Sequence, residues 1–231
     1  MTSEDARPTQ DGDEPAWRRV TERESRWPAL ITVAVTVVLQ VALPDKLTLG
    51  PRWLVPGAAA LMVVALLLIN PDRLERHHKA HRMAALTMVA MVSIGNGFSA
   101  VVLVQHILNG SVGDQAGPLL STGAVIYLTN IVVFAMWYWE FDRGGPGARA
   151  QGVKEYPDFL FPQMSTPEFA PTDWEPGFVD YLYLSFTNAT AFSPTDVMPL
   201  RYWAKLLMLA QSAVSLLLVV LVVARAVNIM H

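Results

Sequence analysis

Seven polar side chains stand inside or beside stretches otherwise suited to hydrocarbon: Asn96, Asn130, Thr187, Asn188, Thr190, Asp196 and Gln211. Amides and hydroxyls at membrane depth either bond across helix contacts or line a path for an ion or small solute. Asn96 lies in Ser93-Ile-Gly95-Asn96-Gly97-Phe-Ser99, where small residues permit close helix approach, so packing is its first reading. Asn130, beside Thr129, is read the same way. Gln211, Ser212 and Ser215 form a polar patch in the final apolar stretch. The serines suit packing, and Gln211 is the better candidate for a path. Asp196 follows Pro194 in a turn and precedes Arg201. It either caps the helix that follows or faces a vestibule.

Two clusters of ionisable groups also have spacing that can carry chemistry. His77 and His81 stand four residues apart, which on a helix places both on one face and suits a metal ion. The surrounding Arg76, Lys79 and Arg82 oppose a cation there, so a solvated basic flank is the favoured reading. Glu140, Asp142 and Arg143 form a second group, either a catalytic or proton-handling cluster or a salt bridge at a helix end worth about 0–1 kcal/mol. The bridge is the expectation. No catalytic residue, metal ligand or cofactor is assigned, and an enzyme is not the reading.

The elements that must position these groups follow from composition. Hydrophobic residues make up 52% of the 231-residue chain and charged residues 16%, against roughly 25% charged in a soluble domain. Between residues 84 and 139 the only charged side chain is Asp114, and between 206 and 231 it is Arg225. Soluble helices must show a polar face to water, so this distribution marks an integral membrane protein and excludes a secreted enzyme or a nucleic-acid binder. With no cysteine, disulfides and thiolate chemistry are also excluded.

A bilayer core of ~30 Å takes about 20 apolar residues in helix. Stretches 27–43, 53–69, 84–108, 118–139 and 202–230 fit or nearly fit that length. The spacing therefore predicts an all-α, polytopic membrane protein with five long transmembrane helices. A sixth stretch, 178–192, is short and pore-helix-like, either tilted across the membrane or re-entrant. Full crossing with a tilt is preferred, because re-entrant backbone needs protein or water around it. Six of the seven tryptophans (Trp27, Trp53, Trp137, Trp139, Trp174 and Trp203) fall at stretch ends, where headgroups favour amphipathic aromatics.

Four divisions result: a polar tail over 1–26, a four-helix region over 27–139, a Pro/Gly/aromatic-rich connection over 140–176, and a short helix, turn and final helix over 177–231. The tail lacks the apolar run of a signal peptide. It carries Arg7, Arg18, Arg19, Arg23 and Arg26, and residues 71–82 carry Arg73, Arg76, Lys79 and Arg82. Basic residues mark the cytoplasmic side, so the N-terminus and 71–82 are expected there, with the chain returning to that side at Glu140. The aromatics and prolines of 140–176 suggest packing against the membrane face rather than free coil.

In the last quarter of the chain, Asp180-Tyr-Leu-Tyr-Leu-Ser-Phe-Thr187 and Phe192-Ser-Pro-Thr-Asp196-Val197 precede a final span. With the aromatic end Phe134-Ala-Met-Trp-Tyr138 and the basic 71–82 segment, this pattern resembles a bacterial domain-of-unknown-function family of small integral membrane proteins. The resemblance implies a helical plasma-membrane protein and no established activity. The same end looks distantly like an ion-channel pore module, with residues 190–196 in the place of a potassium filter. They read Thr-Ala-Phe-Ser-Pro-Thr-Asp, without the glycines that turn filter carbonyls inward, so potassium selectivity is not expected. The leading expectation is a passive conduit for an ion or small solute, lined by the seven polar residues within a homo-oligomer in the lipid bilayer. The alternative is a non-transporting scaffold or regulatory subunit that docks a partner through 140–176.

Overall fold

The long apolar runs fold as helices over most of their described residues, the arrangement hydrocarbon demands of a backbone. Even the β-branched run Ile31-Thr-Val-Ala-Val-Thr-Val-Val38 is helical, although Val, Ile and Thr have modest helix propensity in water. The structure, a computed structural model, describes residues 15–21, 27–68, 77–111, 113, 115–190 and 196–230, with side chains left out at 27–30, 62–68 and 77–81. Five helices make the bundle: α1 (Trp27–Val41), α2 (Leu54–Leu68), α3 (His77–Leu108), α4 (Ala116–Phe141) and, at the C-terminus, α8 (Tyr202–Met230). Between α4 and α8 come two short helices, α5 (Pro146–Ala150) and α6 (Pro162–Ser165), and the 13-residue α7 (Phe178–Thr190).

Among the described residues, three helices are long and apolar enough to cross a membrane: those containing Arg82–Leu108, Ala116–Phe141 and Tyr202–Met230. That is fewer than the five expected. Helices α1 and α2 have 15 residues each, about 22 Å at 1.5 Å per residue. Pro44 ends the first early, and a 3-10 turn at Asp45–Leu47 follows. Helix α3 also begins at His77 rather than 84, so the basic residues from 77 to 82 continue the helix instead of forming a loop. The rest of that segment, 71–76, lies outside the described residues.

Contacts fix the direction of each helix. At one end, Thr21 N donates to Ala150 O at 2.9 Å, and Arg82 and Glu140 both stand around Gly145. The N-terminal segment, the first turns of α3 and the end of α4 therefore meet. At the far end, Leu43 and Leu47 share one apolar cluster with Leu103, Leu119 and Ala226. Helix α8 packs antiparallel on α4, with Trp203 edge-on to Phe141 at 5.5 Å and Val222 against Gly123. A Cβ on Gly123 would lie 2.8 Å from Val222 Cγ1, so glycine is what lets these two helices approach.

Helix α7 departs from the preferred reading of a full crossing. It starts beside the end of α4, with Phe178 edge-on to Trp139 at 5.9 Å and Tyr181 Oη donating to Asp142 Oδ2 at 2.5 Å. Thirteen residues carry it about 20 Å inward. By residue 198 the chain is back where it started. Strand β2 (Met198–Pro199) pairs antiparallel with β1 (Phe159–Leu160), and Leu200 N donates to Asp158 O at 2.9 Å. Since Phe159 N itself bonds Asp142, both ends of the 178–199 segment sit at one end of α4. The two-residue ladder and the Asp158 contact hold the return in place.

Candidate functional site

The polar residues singled out in the sequence meet in two places. The first is a brace of neutral groups between α4, α7 and α8. On α7, Tyr181, Ser185 and Asn188 recur at the spacing of one helical face, and the apolar Phe178, Leu184 and Ala189 are buried with them. Gln211 on α8 is fully enclosed. Its Oε1 accepts from Tyr138 Oη at 2.6 Å and from Asn188 Nδ2 at 2.8 Å. Its Nε2 donates to Ser185 O at 3.0 Å and Ser185 Oγ at 2.7 Å. Ser185 Oγ donates in turn to Ile131 O at 2.6 Å. Asn188 Nδ2 also reaches Met208 O at 3.0 Å, and Ser212 Oγ donates to Asn188 Oδ1 at 3.1 Å. One turn deeper, Asn130 Nδ2 donates to Ser215 Oγ at 3.0 Å.

Every polar group of Gln211 is therefore used within the chain. A half-satisfied network would be worse than an apolar core, and this one is close to saturated. Asn96 stands apart, bonding Ile126 O from Nδ2 at 3.2 Å across the α3–α4 contact. Thr187 and Thr190 fold their hydroxyls back on α7, to Tyr183 O at 2.9 Å and Thr187 O at 3.0 Å. Asp196 is exposed and more than a turn ahead of Tyr202, where α8 begins, so it caps nothing there. Arg201 pairs with Asp158 at 3.4 Å instead. Residues 191–195 lie outside the described residues, as do the side chains of His77 and His81.

The second place is a charged cap at the end of α4, built by 140–160 and the N-terminal segment. Glu140, Asp142 and Arg143 were expected to form a surface bridge, but all three are buried, Asp142 at 0% and Arg143 at 1% exposure. The α4 helix stops because Arg143, Gly144 and Gly145 take φ of 54°, 90° and 94°. Glycine adopts these angles freely, whereas Arg143 pays a strain of order 1 kcal/mol. Two carboxylates hold that turn reciprocally. Asp142 Oδ1 accepts from Asp158 N at 2.9 Å and Phe159 N at 3.3 Å, while Asp158 Oδ2 accepts from Arg143 N at 2.7 Å. Arg149 caps the carbonyls left over at the end of α4, donating from Nη1 to Trp139 O at 2.5 Å and Asp142 O at 3.1 Å. Its guanidinium lies 5.1 Å from the Tyr181 ring centroid, a cation–π contact.

Sequence reasoning missed Tyr138, Ser185, Arg149 and Asp158. For Ser185 the signal was present, since it follows Tyr181 by four residues and precedes Asn188 by three. Asp158 and Arg149 have no such signal, because a charge in a loop reads as solvated. Among the described residues no three histidines or carboxylates group to hold a metal ion. Together the cap and the brace fix a short helix between two long ones. No family model, curated protein or solved structure matches the chain.

Proposed function

We propose that this is a multi-pass plasma-membrane protein in which α1–α4 and α8 cross the bilayer and α7 is a re-entrant half-helix. In this reading the N-terminus is cytoplasmic, and assembled copies pass an ion or small solute along the 187–196 segment. The observation that carries it is the entry and return of 178–199 at one end of α4. Non-helical backbone at membrane depth is tolerated only where protein encloses it or water lines it, and filters of ion channels are built on such returns. The brace then serves to hold α7 rather than to line the path. That shifts the path from Asn96, Asn130, Asn188 and Gln211 toward Thr187, Thr190 and Asp196. Val179, Tyr183 and Phe186 on the outer face of α7 are exposed, a surface suited to a second copy. The 15-residue α1 and α2 reach across by local thinning of the bilayer.

The test is flux. Purified protein in liposomes should pass ions or a small solute above the level of empty vesicles, and Asp196→Asn or Thr190→Val should alter the rate. Flux equal to that of empty vesicles across the common ions would exclude conduction.

A second reading, a scaffold or regulatory subunit, is favoured by one observation. Asn130, Asn188 and Gln211 spend their polar groups inside the chain, and the exposed residues of α8 include Leu206, Leu209, Leu216, Val220 and Val223. This reading predicts a partner that co-purifies in mild detergent and is lost when the exposed Tyr156 and Phe169 become serine.

A further inference from the structure

Where the chain leaves the β1–β2 ladder and enters α8, its outer surface joins two basic residues to an apolar stripe. The period-two alternation of extended chain buries Val197 and turns Met198 and Leu200 outward, at 52% and 47% exposure. Lys205 N donates to Arg201 O at 3.1 Å, so one helical turn separates these residues and sets both on a single face. Both are exposed, and Tyr202 beside them is 87% exposed. The same face of α8 runs on through the exposed Leu206, Leu209 and Leu216, with no further charge before Arg225.

We infer that this surface binds an anionic phospholipid, with the phosphate at Arg201 and Lys205 and an acyl chain along the leucines. The inference rests on α8 crossing the bilayer, part of the reading above, and not on conduction or on re-entry of α7. Among the described residues no carboxylate pairs with the Lys205 ammonium. Arg201 meets Asp158 through Nε at 3.4 Å with its side chain more than half exposed, and a guanidinium has donors enough for a second acceptor. Charge chooses the occupant. Water suits the two cations but not the leucines. A second copy in the same orientation would bring its own Arg201 and Lys205 to the same depth, like charge against like. An anionic lipid carries an anion and then a hydrocarbon chain, in the order the surface presents. Asp158 O also accepts from Leu200 N at 2.9 Å, so the lipid sits one residue from the point where the 178–199 segment returns.

Native mass spectrometry of the full-length protein in detergent, titrated with phosphatidylglycerol or phosphatidylcholine, reads this binding directly. Phosphatidylglycerol should be retained at concentrations where phosphatidylcholine, whose choline cancels the phosphate charge, is not. Lys205→Gln removes a cation that has no partner to lose. It should weaken the apparent Kd roughly 5-fold, the worth of one basic residue near an anionic lipid surface, and Arg201→Gln should weaken it as well. Arg18→Gln, which removes another exposed cation at the same end of the bundle, should leave the affinity unchanged. Inorganic phosphate, lacking an acyl chain, should not displace the lipid. Whether α8 crosses is read separately, by labelling single cysteines at 200 and 228 from either side of a vesicle. Equal retention of the two lipids, equal weakening by Arg18→Gln and Lys205→Gln, displacement by inorganic phosphate, or a lipid-free dimer that Lys205→Gln dissociates would each overturn the inference.

Discussion

Two polar clusters grip α7, and they are built from opposite materials. The inner one uses amides and hydroxyls only: Gln211, Asn188, Ser185 and Tyr138 exchange bonds of 2.6–3.3 Å with one another or with backbone carbonyls. The outer one buries formal charges, with Asp142 and Asp158 accepting from backbone N–H groups and from Tyr181, and Arg149 donating to the last carbonyls of α4. In the proposed membrane placement the difference follows depth. A charge at mid-bilayer costs several kcal/mol, whereas neutral polar groups bond across helices there at little penalty. At the end of the bundle the cap can shield charges with protein on one side and draw on hydrated neighbours such as Lys154 on the other. The comparison therefore assigns different work to each. The brace sets the position and rotation of α7 between α4 and α8, and the cap holds both ends of its segment at one end of α4.

The contrast makes graded predictions. Asp142→Ala strips the acceptor from Tyr181 and from two backbone N–H groups and leaves Arg149 near an incomplete cluster. A loss of about 3–5 kcal/mol, the range for breaking a buried charge cluster, should appear in reversible unfolding from mixed micelles. Gln211→Leu removes the hub of the brace but exposes no charge, so the same assay should register about 1–2 kcal/mol. If Gln211 proves costlier than Asp142, the division of labour is inverted. At the bottom of the scale stands Lys154→Met. Its ammonium is half exposed and 3.8 Å from Asp158, so the change should be within ~1 kcal/mol and vanish at high salt.

Legibility in the sequence divides along the same line. Neutral polar residues in apolar helices announce themselves, and Asn96 and Asn130 stand where helix-packing reasoning puts them, in the α3–α4 and α4–α8 contacts. The long helices are equally visible, because length and lack of charge are all that α3, α4 and α8 require. The cap is different. Arg143, Arg149 and Asp158 are buried by partners 7 to 16 residues away or by the N-terminal segment, and no periodicity encodes such pairing. The return at 196–199 was hidden for a related reason. It depends on a two-residue ladder to Phe159–Leu160, too short for any alternation pattern, so 178–192 read as a crossing.

The account stands or falls on that return. With α7 re-entrant, an odd number of crossings separates residue 150 from the C-terminus. Because the chain contains no cysteine, single cysteines at the exposed Gln151, Leu200 and Asn228 can be labelled by an impermeant thiol reagent from either side of oriented vesicles. The re-entrant fold predicts that positions 151 and 200 label from one side and 228 from the other. Labelling of 151 and 228 from the same side, with 200 opposite, would mean that α7 crosses the membrane, and the central claim would be wrong.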